Sequence, residues 1–254
     1  YDAVVLATGG ASYTSTGSTG DGYAFAKAFG HSVTPILPSL ISLETEEEWP
    51  KELMGLSLKN VTLNAYNKKK KLVYSELGEM LFTHFGVSGP LVLSASSRIA
   101  DDPAGARLTI DLKPGLDIDE LDRRLVRDFQ QNSRKSFQNA LDGLFPRRMI
   151  PVMVQLSGIA ADVETNSVTR EQRHAFAALI KCVPITVKAA MPIDQAIITR
   201  GGINVKEIDP STMESKLVSG LYFAGEVIDV DAYTGGFNIQ IACSTGVLAG
   251  RSIV

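Results

Sequence analysis

Two short apolar runs, near opposite ends of the chain, both finish in glycine. Ala3-Val4-Val5-Leu6-Ala7 runs into Thr8-Gly9-Gly10, and Leu221-Tyr222-Phe223-Ala224 runs into Gly225-Glu226, with Gly235-Gly236-Phe237-Asn238 close behind. A third cluster, Thr199-Arg200-Gly201-Gly202, follows the apolar stretch from Ala196. Backbone without side chains approaches a phosphate or a flat ring closely and presents its N–H groups. Singly, each cluster reads equally as an ordinary turn. Their order is the constraint: strand ends carrying glycine at both ends of the chain require an architecture that brings those ends together.

The intervening sequence changes period twice. After Thr8-Gly9-Gly10, a Gly/Ser/Thr-rich stretch leads to a short helix over Tyr23 to Phe29, stopped by Gly30. Beyond Pro35 and Pro38, alternation over Leu58 to Tyr66 and Lys71 to Leu77 predicts a hairpin turning at Asn67 to Lys71, with further strands at Met80 to Thr83 and Arg107 to Leu112. From Asp117 the period lengthens, and Leu121, Leu125, Val126 and Phe129 fall on one helical face. Helical character continues through Arg147 to Leu156 and Thr169 to Cys182, where Thr169 and Gln172 have capping-box spacing. Phe129, Phe137 and Phe145 read as core. Pro192 marks a return to strands, at Ala196 to Thr199 and Gly220 to Ala224, before a last helix over Ile239 to Ala249. The expected fold is α/β, α+β overall: one α/β domain built from both end segments (1–34 and 191–254), interrupted by a β-rich insertion (35–115) and a helical one (116–190).

Composition removes several function classes. At 254 residues, with 44% hydrophobic and 21% charged residues, the chain is an ordinary globular protein of one or two domains. Its net charge of -3 offers nothing to a polyanion, and Lys68 to Lys71 is expected as a solvated turn, so neither nucleic acid nor a membrane surface is expected as a partner. Cys182 and Cys243 fit neither a disulfide framework nor a zinc site, no His or Cys pair has metal-ligand spacing, and a cytoplasmic setting is expected. Gly86-Val87-Ser88-Gly89 is not the elbow of a hydrolase. The sequence fixes no oligomeric state. Opening directly on a strand, the chain reads as the carboxyl-terminal portion of something longer.

Longer motifs narrow the reading. They are Gly17-Ser18-Thr19-Gly20-Asp21-Gly22-Tyr23, the segment Gly78-Glu79-Met80-Leu81-Phe82-Thr83-His84-Phe85-Gly86-Val87-Ser88-Gly89-Pro90, Thr212 to Lys216, Gly220 to Asp229 and Thr234 to Gln240. In these the chain resembles the bacterial NAD(P)/FAD-dependent oxidoreductases, the BaiN-like and aminoacetone-oxidase-type flavoproteins. The resemblance implies a Rossmann-like FAD domain, incomplete here, interrupted by a β-barrel-like and helical insertion that faces the flavin. It also implies an upstream glycine fingerprint for the pyrophosphate; no G-x-G-x-x-G occurs in this sequence.

By the same resemblance, Thr8, Gly9 and Gly10 line the adenosine side, and Glu226 lies near the ribityl chain or pyrophosphate. Gly235, Gly236, Phe237 and Asn238 offer backbone N–H groups to the flavin pyrimidine edge. Gly201, Gly202, Gly225 and Asp229 join the cofactor set, with loop capping as the alternative for Glu226 and Asp229. His84 is either a proton relay facing the flavin or a satisfied core histidine, whereas His31 and His174 read as a surface helix end and a helix surface. Arg200 holds an anionic substrate or a nicotinamide phosphate, or is simply solvated, and Tyr233 is a further catalytic candidate. The implied activity moves a hydride between FAD and a small organic substrate, with NAD(P)H or oxygen as redox partner. The alternative is a non-catalytic ligand-binding module unable to hold FAD by itself.

Overall fold

A computed structural model describes residues 2–253. The chain opens with strand β1 (Val4–Leu6), helix α1 (Asp21–Ala28) and strand β2 (Leu37–Ser39). Strand β3 (Leu43–Thr45), helix α2 (Trp49–Glu52), the long strands β4 (Ser57–Tyr66) and β5 (Leu72–Phe82) and the short β6 (Gly86–Ser88) follow. Helix α3 (Pro90–Arg98) and strand β7 (Arg107–Asp111) lead to α4 (Ile118–Gln131), α5 (Phe137–Ala140), α6 (Ile150–Ser157) and α7 (Arg170–Lys181). Strands β8 (Val183–Ala190), β9 (Ile198–Arg200) and β10 (Leu221–Phe223) and helix α8 (Phe237–Ser252) complete it. The architecture is mixed α/β, with a closed six-stranded barrel in the order β3-β6-β5-β4-β7-β8. Among the described residues no helix is long and apolar enough to cross a membrane.

Packing divides the chain into two compact units. One comprises Tyr1–Leu43, Val92–Pro103 and Ala189–Val254; the other comprises Glu44–Leu91 and Ala104–Lys188. The first therefore takes in most of α3, from the middle of the segment that reads as β-rich. Ser96 on α3 accepts the Ile41 N–H at 2.9 Å.

The barrel unit follows from its alternation. Leu58, Val61, Leu63 and Ala65 are buried along β4, which pairs antiparallel with β5 from Val61↔Gly78 to Ala65↔Tyr74. The turn is closed by Asn67, whose Oδ1 accepts the Lys71 N–H at 3.1 Å, and Lys68 to Lys71 are exposed at the tip. Met80 to Phe82, expected as a separate strand, is the far end of β5. The return to strand comes at Val183 rather than after Pro192, because Val183, Ile185 and Val187 alternate into the interior while β8 pairs with β7.

Two helices of this unit, α4 and α7, begin on full capping boxes. Asp117 accepts the Glu120 N–H at 2.7 Å before α4, and Thr169 accepts the Gln172 N–H at 3.2 Å before α7. Lys181 ends α7 with an ion pair to Asp111 (2.6 Å) and bonds to the carbonyls of Lys113 and Leu116. Phe137 is fully buried between Phe129 and Phe176, edge-on to both at centroid distances of 6.0 and 5.1 Å. Deleting this fully buried ring leaves a cavity between Phe129 and Phe176, so Phe137→Ala is expected to cost about 3–5 kcal/mol of the barrel unit's stability, read from urea unfolding.

In the other unit β1 pairs in parallel with β10, Val4↔Leu221 to Leu6↔Phe223, and β2 pairs antiparallel with β9. Leu6, Tyr23, Ile203, Phe223, Val227 and Ala249 contribute to a core that joins α1, both parallel strands and α8.

Candidate functional site

Three chain segments meet where β1, β9 and β10 give way to their loops. Thr199 Oγ1 accepts the N–H groups of Ala11 (2.7 Å) and Ser12 (3.1 Å). Glu226 Oε1 in turn accepts the Thr199 N–H (2.7 Å) and the Ser12 hydroxyl (3.2 Å). Gly10 is buried in this bracket, and a Cβ there would strike both Thr199 Oγ1 and Glu226 Oε1. Gly22 at the head of α1 is required in the same way, since a Cβ would strike Thr8 Oγ1.

Tyr23 rises from α1 under the bracket. Its hydroxyl is buried and, among the described residues, has no hydrogen-bond partner within bonding geometry. Burial first, then the charge of Glu226, pushes its pKa up to about 12.

Two clefts open on this unit and share Tyr233. The first, of about 520 Å³, is largely apolar, lined by Leu40, Ile197, Ile198, Val230, Ile239 and Ile241, with Glu226 and the Gly235-Gly236 turn beside them. Gly235 (φ 108°) and Gly236 (φ 92°) sit in the left-handed region at the start of α8, and that end has no side-chain cap. A Cβ on Gly236 would meet no protein atom within 4 Å, so that glycine serves backbone conformation and the open space before it, not internal packing. Asn238 clamps the preceding loop: its Oδ1 accepts the Ala232 N–H (2.8 Å) and its Nδ2 donates to the Ala232 carbonyl (2.9 Å).

The second cleft, of about 580 Å³, is polar, with Arg98, Arg200, Asp101, Asp229, Asp231, Tyr233 and Phe237 around it. Arg200 is anchored, donating to the Ser97 carbonyl (2.8 Å) and to Asp101 (3.1 Å). Asp231 accepts the Ser39 hydroxyl at 2.9 Å. Both Nε (2.8 Å) and Nη2 of Arg98 donate to the Tyr233 hydroxyl oxygen.

The structure thus gathers Arg200, Tyr233, Asp229 and Phe237 around one cleft, and Glu226, Gly235, Gly236 and Asn238 around the other. Arg98 escapes sequence reasoning, because an arginine closing a helix inside an expected β-rich stretch carries no local signal. Gly201 and Gly202, expected to face a ligand, are buried against protein backbone. A Cβ on Gly201 would strike the Pro35 carbonyl, one on Gly202 would lie 2.6 Å from the Val227 carbonyl, and the Gly202 N–H is spent on Thr34 Oγ1. Gly225 likewise gives its N–H to Thr245 at 2.9 Å. Thr8 is exposed and Gly9 half-buried beside the bracket.

His84 stands exposed in the turn between β5 and β6 of the barrel unit, its ring edge-on to Phe85, so the satisfied core histidine is not what is found. His174 is exposed on α7. His31, expected at a surface, is 4% exposed, bonded to Ser215 (2.7 Å) and Glu207 (3.1 Å). Ser215 Oγ accepts the Leu217 and Val218 N–H groups, so its proton goes to His31 and the triad-like row is a staple; none of the three residues lines either cleft.

Over residues 37–198, more than half of its length, the sequence matches the family described as HI0933-like protein barrel and H2TH domain. The chain belongs to the HI0933-like family. The barrel strands β3 to β8 and the helices α4 to α7 fall inside that match. This HI0933-like chain is 30% identical, over 99% of its length, to a 3-dehydro-bile acid delta(4,6)-reductase of Clostridium scindens, covering 62% of that protein. It is 32% identical over 98% of its length to a ribosomal RNA dihydrouridine synthase of Haemophilus influenzae, and 30% identical over 99% to that of Escherichia coli, covering 60% of each. The chain therefore spans about three-fifths of the length of these curated relatives.

Tyr23 gives a pH test of the bracket. The folded chain holds this proton to about pH 12, while an unfolded tyrosine releases it near pH 10. Its contribution to stability is intact below pH 10 and is lost as pH rises towards 12. Tyr23→Phe is expected to flatten that part of the alkaline decline, measured as urea midpoints at pH 9 to 12. Gly10→Ala should destabilise the unit at every pH.

Proposed function

We propose that this chain carries the flavin-ring and substrate portion of an FAD-dependent reductase that saturates a carbon–carbon double bond conjugated to a carbonyl. One observation carries the reading: an apolar cleft of ring-binding size, entered by a left-handed glycine pair at an uncapped helix start, shares Tyr233 with a polar cleft. The relatives' names support it, since a delta(4,6)-reductase and a dihydrouridine synthase both add hydrogen across such a bond.

Ile197, Ile198, Val230 and Ile239 would cover the ring faces, and Gly235, Gly236, Phe237 and Asn238 would turn backbone N–H groups to the pyrimidine edge. The positive end of α8 suits the negative charge that a reduced flavin carries there. Thr8 and Gly9, with Gly10 fixed behind them, would flank the adenosine side. A flavin so held supplies the hydride. NAD(P)H is the proposed electron donor, because adding hydrogen requires a two-electron reductant. The substrate is proposed to be a small molecule, without nucleic-acid or membrane recognition. His84 is proposed as a proton relay.

The test is the visible spectrum of the whole protein after exposure to FAD. Ile239 is 71% exposed and lines the apolar cleft, so Ile239→Glu leaves folding alone while placing a carboxylate against the ring. Flavin affinity should fall at least about tenfold with an unchanged melting temperature; equal flavin retention would remove the ring from this cleft. His84→Asn should lower turnover with flavin content intact, and unchanged turnover would reduce His84 to a turn residue.

A further inference from the structure

We propose that Arg98 and Tyr233 form the carbonyl-recognition pair of the polar cleft, with Arg98 as the positioning residue that makes the Tyr233 hydroxyl a donor. The reaction it serves rests on the flavin reading above; the pair itself rests on geometry. A phenol oxygen can accept hydrogen bonds and donates one. Here two donors of a single guanidinium, Nε and Nη2 of Arg98, already approach that oxygen. The phenol hydrogen therefore points away from Arg98 and is free to bond a ligand atom in the cleft that Tyr233 lines. Arg98 is held in turn, since Arg200 bonds the carbonyl of Ser97, the residue before it, and is itself fixed by Asp101.

Charge identifies the ligand class. The cleft sets the guanidiniums of Arg98 and Arg200 against the carboxylates of Asp101, Asp229 and Asp231. A carboxylate or phosphate entering it gains no net attraction, which argues against the anionic substrate or nicotinamide phosphate that Arg200 suggests in the sequence. A neutral carbonyl meets no such penalty and acquires charge on oxygen only during reaction, where a preorganised donor has its largest effect. With reduced flavin as the two-electron donor, the substrate would accept a hydride at the carbon β to the carbonyl, the double-bond electrons shifting to join the α carbon and the carbonyl carbon. The carbonyl oxygen takes the Tyr233 proton. The enol returns to the ketone as water delivers a proton to the α carbon and the enol O–H proton goes back to the Tyr233 phenolate beside Arg98. The substrate gains a hydride and a proton, and the flavin is oxidised by two electrons.

The probe is cyclohexenone isotopically labelled at its carbonyl, added to the whole protein and followed by difference infrared spectroscopy. Binding to the unaltered protein should lower the carbonyl frequency. Tyr233→Phe and Arg98→Met should each abolish that shift and weaken binding about tenfold, while Arg98→Lys keeps part of it. The double variant should be no worse than Tyr233→Phe, and neither benzoate nor inorganic phosphate should compete. A full shift in Arg98→Met, strictly additive losses in the double variant, or displacement by benzoate or phosphate would each overturn the proposal. Flavin content is read in the same samples. A colourless protein that still shifts the band defeats the flavin reading alone; a yellow protein whose band ignores both residues defeats this one alone.

Discussion

One carboxylate oxygen holds the loop cluster together. Glu226 Oε1 binds the backbone of Thr199 and the hydroxyl of Ser12, and Thr199 passes the connection on to two further N–H groups. Bonds to an ionised acceptor are stronger than neutral ones, and here they join strands with no sequence proximity. Space inside the bracket is so limited that position 10 admits only hydrogen as a side chain. The placement of β1, β9 and β10, and of both clefts beyond them, depends on that knot.

The two clefts differ in a way that suits two tasks. An apolar wall with a bare helix start favours a flat conjugated ring, whereas guanidiniums, carboxylates and a phenol favour a polar group that must be oriented. Tyr233 belongs to both, so whatever the two clefts hold would meet beside one side chain.

Local chemistry was legible in the sequence and long-range chemistry was not. The hairpin at Asn67, the Thr169 capping box and the buried phenylalanines follow from spacing alone, because alternation, caps and helical period act over a few residues. The convergence of Thr8 to Gly10 with Glu226 was visible only as an ordered set of glycines. Gly201 and Gly202 have the look of a ligand loop, yet their missing side chains make room for the chain's own backbone. His31 misleads for a related reason: a polar residue after a helix-stopping glycine looks solvated until Glu207 and Ser215 arrive from a distant segment. Arg98 is invisible because α3 packs with residues it does not neighbour in sequence.

The division of the chain between its units also sets an order of assembly. The last residue of the barrel unit is Lys188, so every piece of that unit has been synthesised before Leu221 is made. Strand β1 pairs with β10 across roughly 200 residues, a loop closure of high entropic cost. During synthesis, β1, with Val4 and Val5, is made long before its parallel neighbour β10. For that interval the side of β1 that will meet β10 is open to the wrong partners, and early completion of the intervening unit replaces a long flexible loop by a folded one.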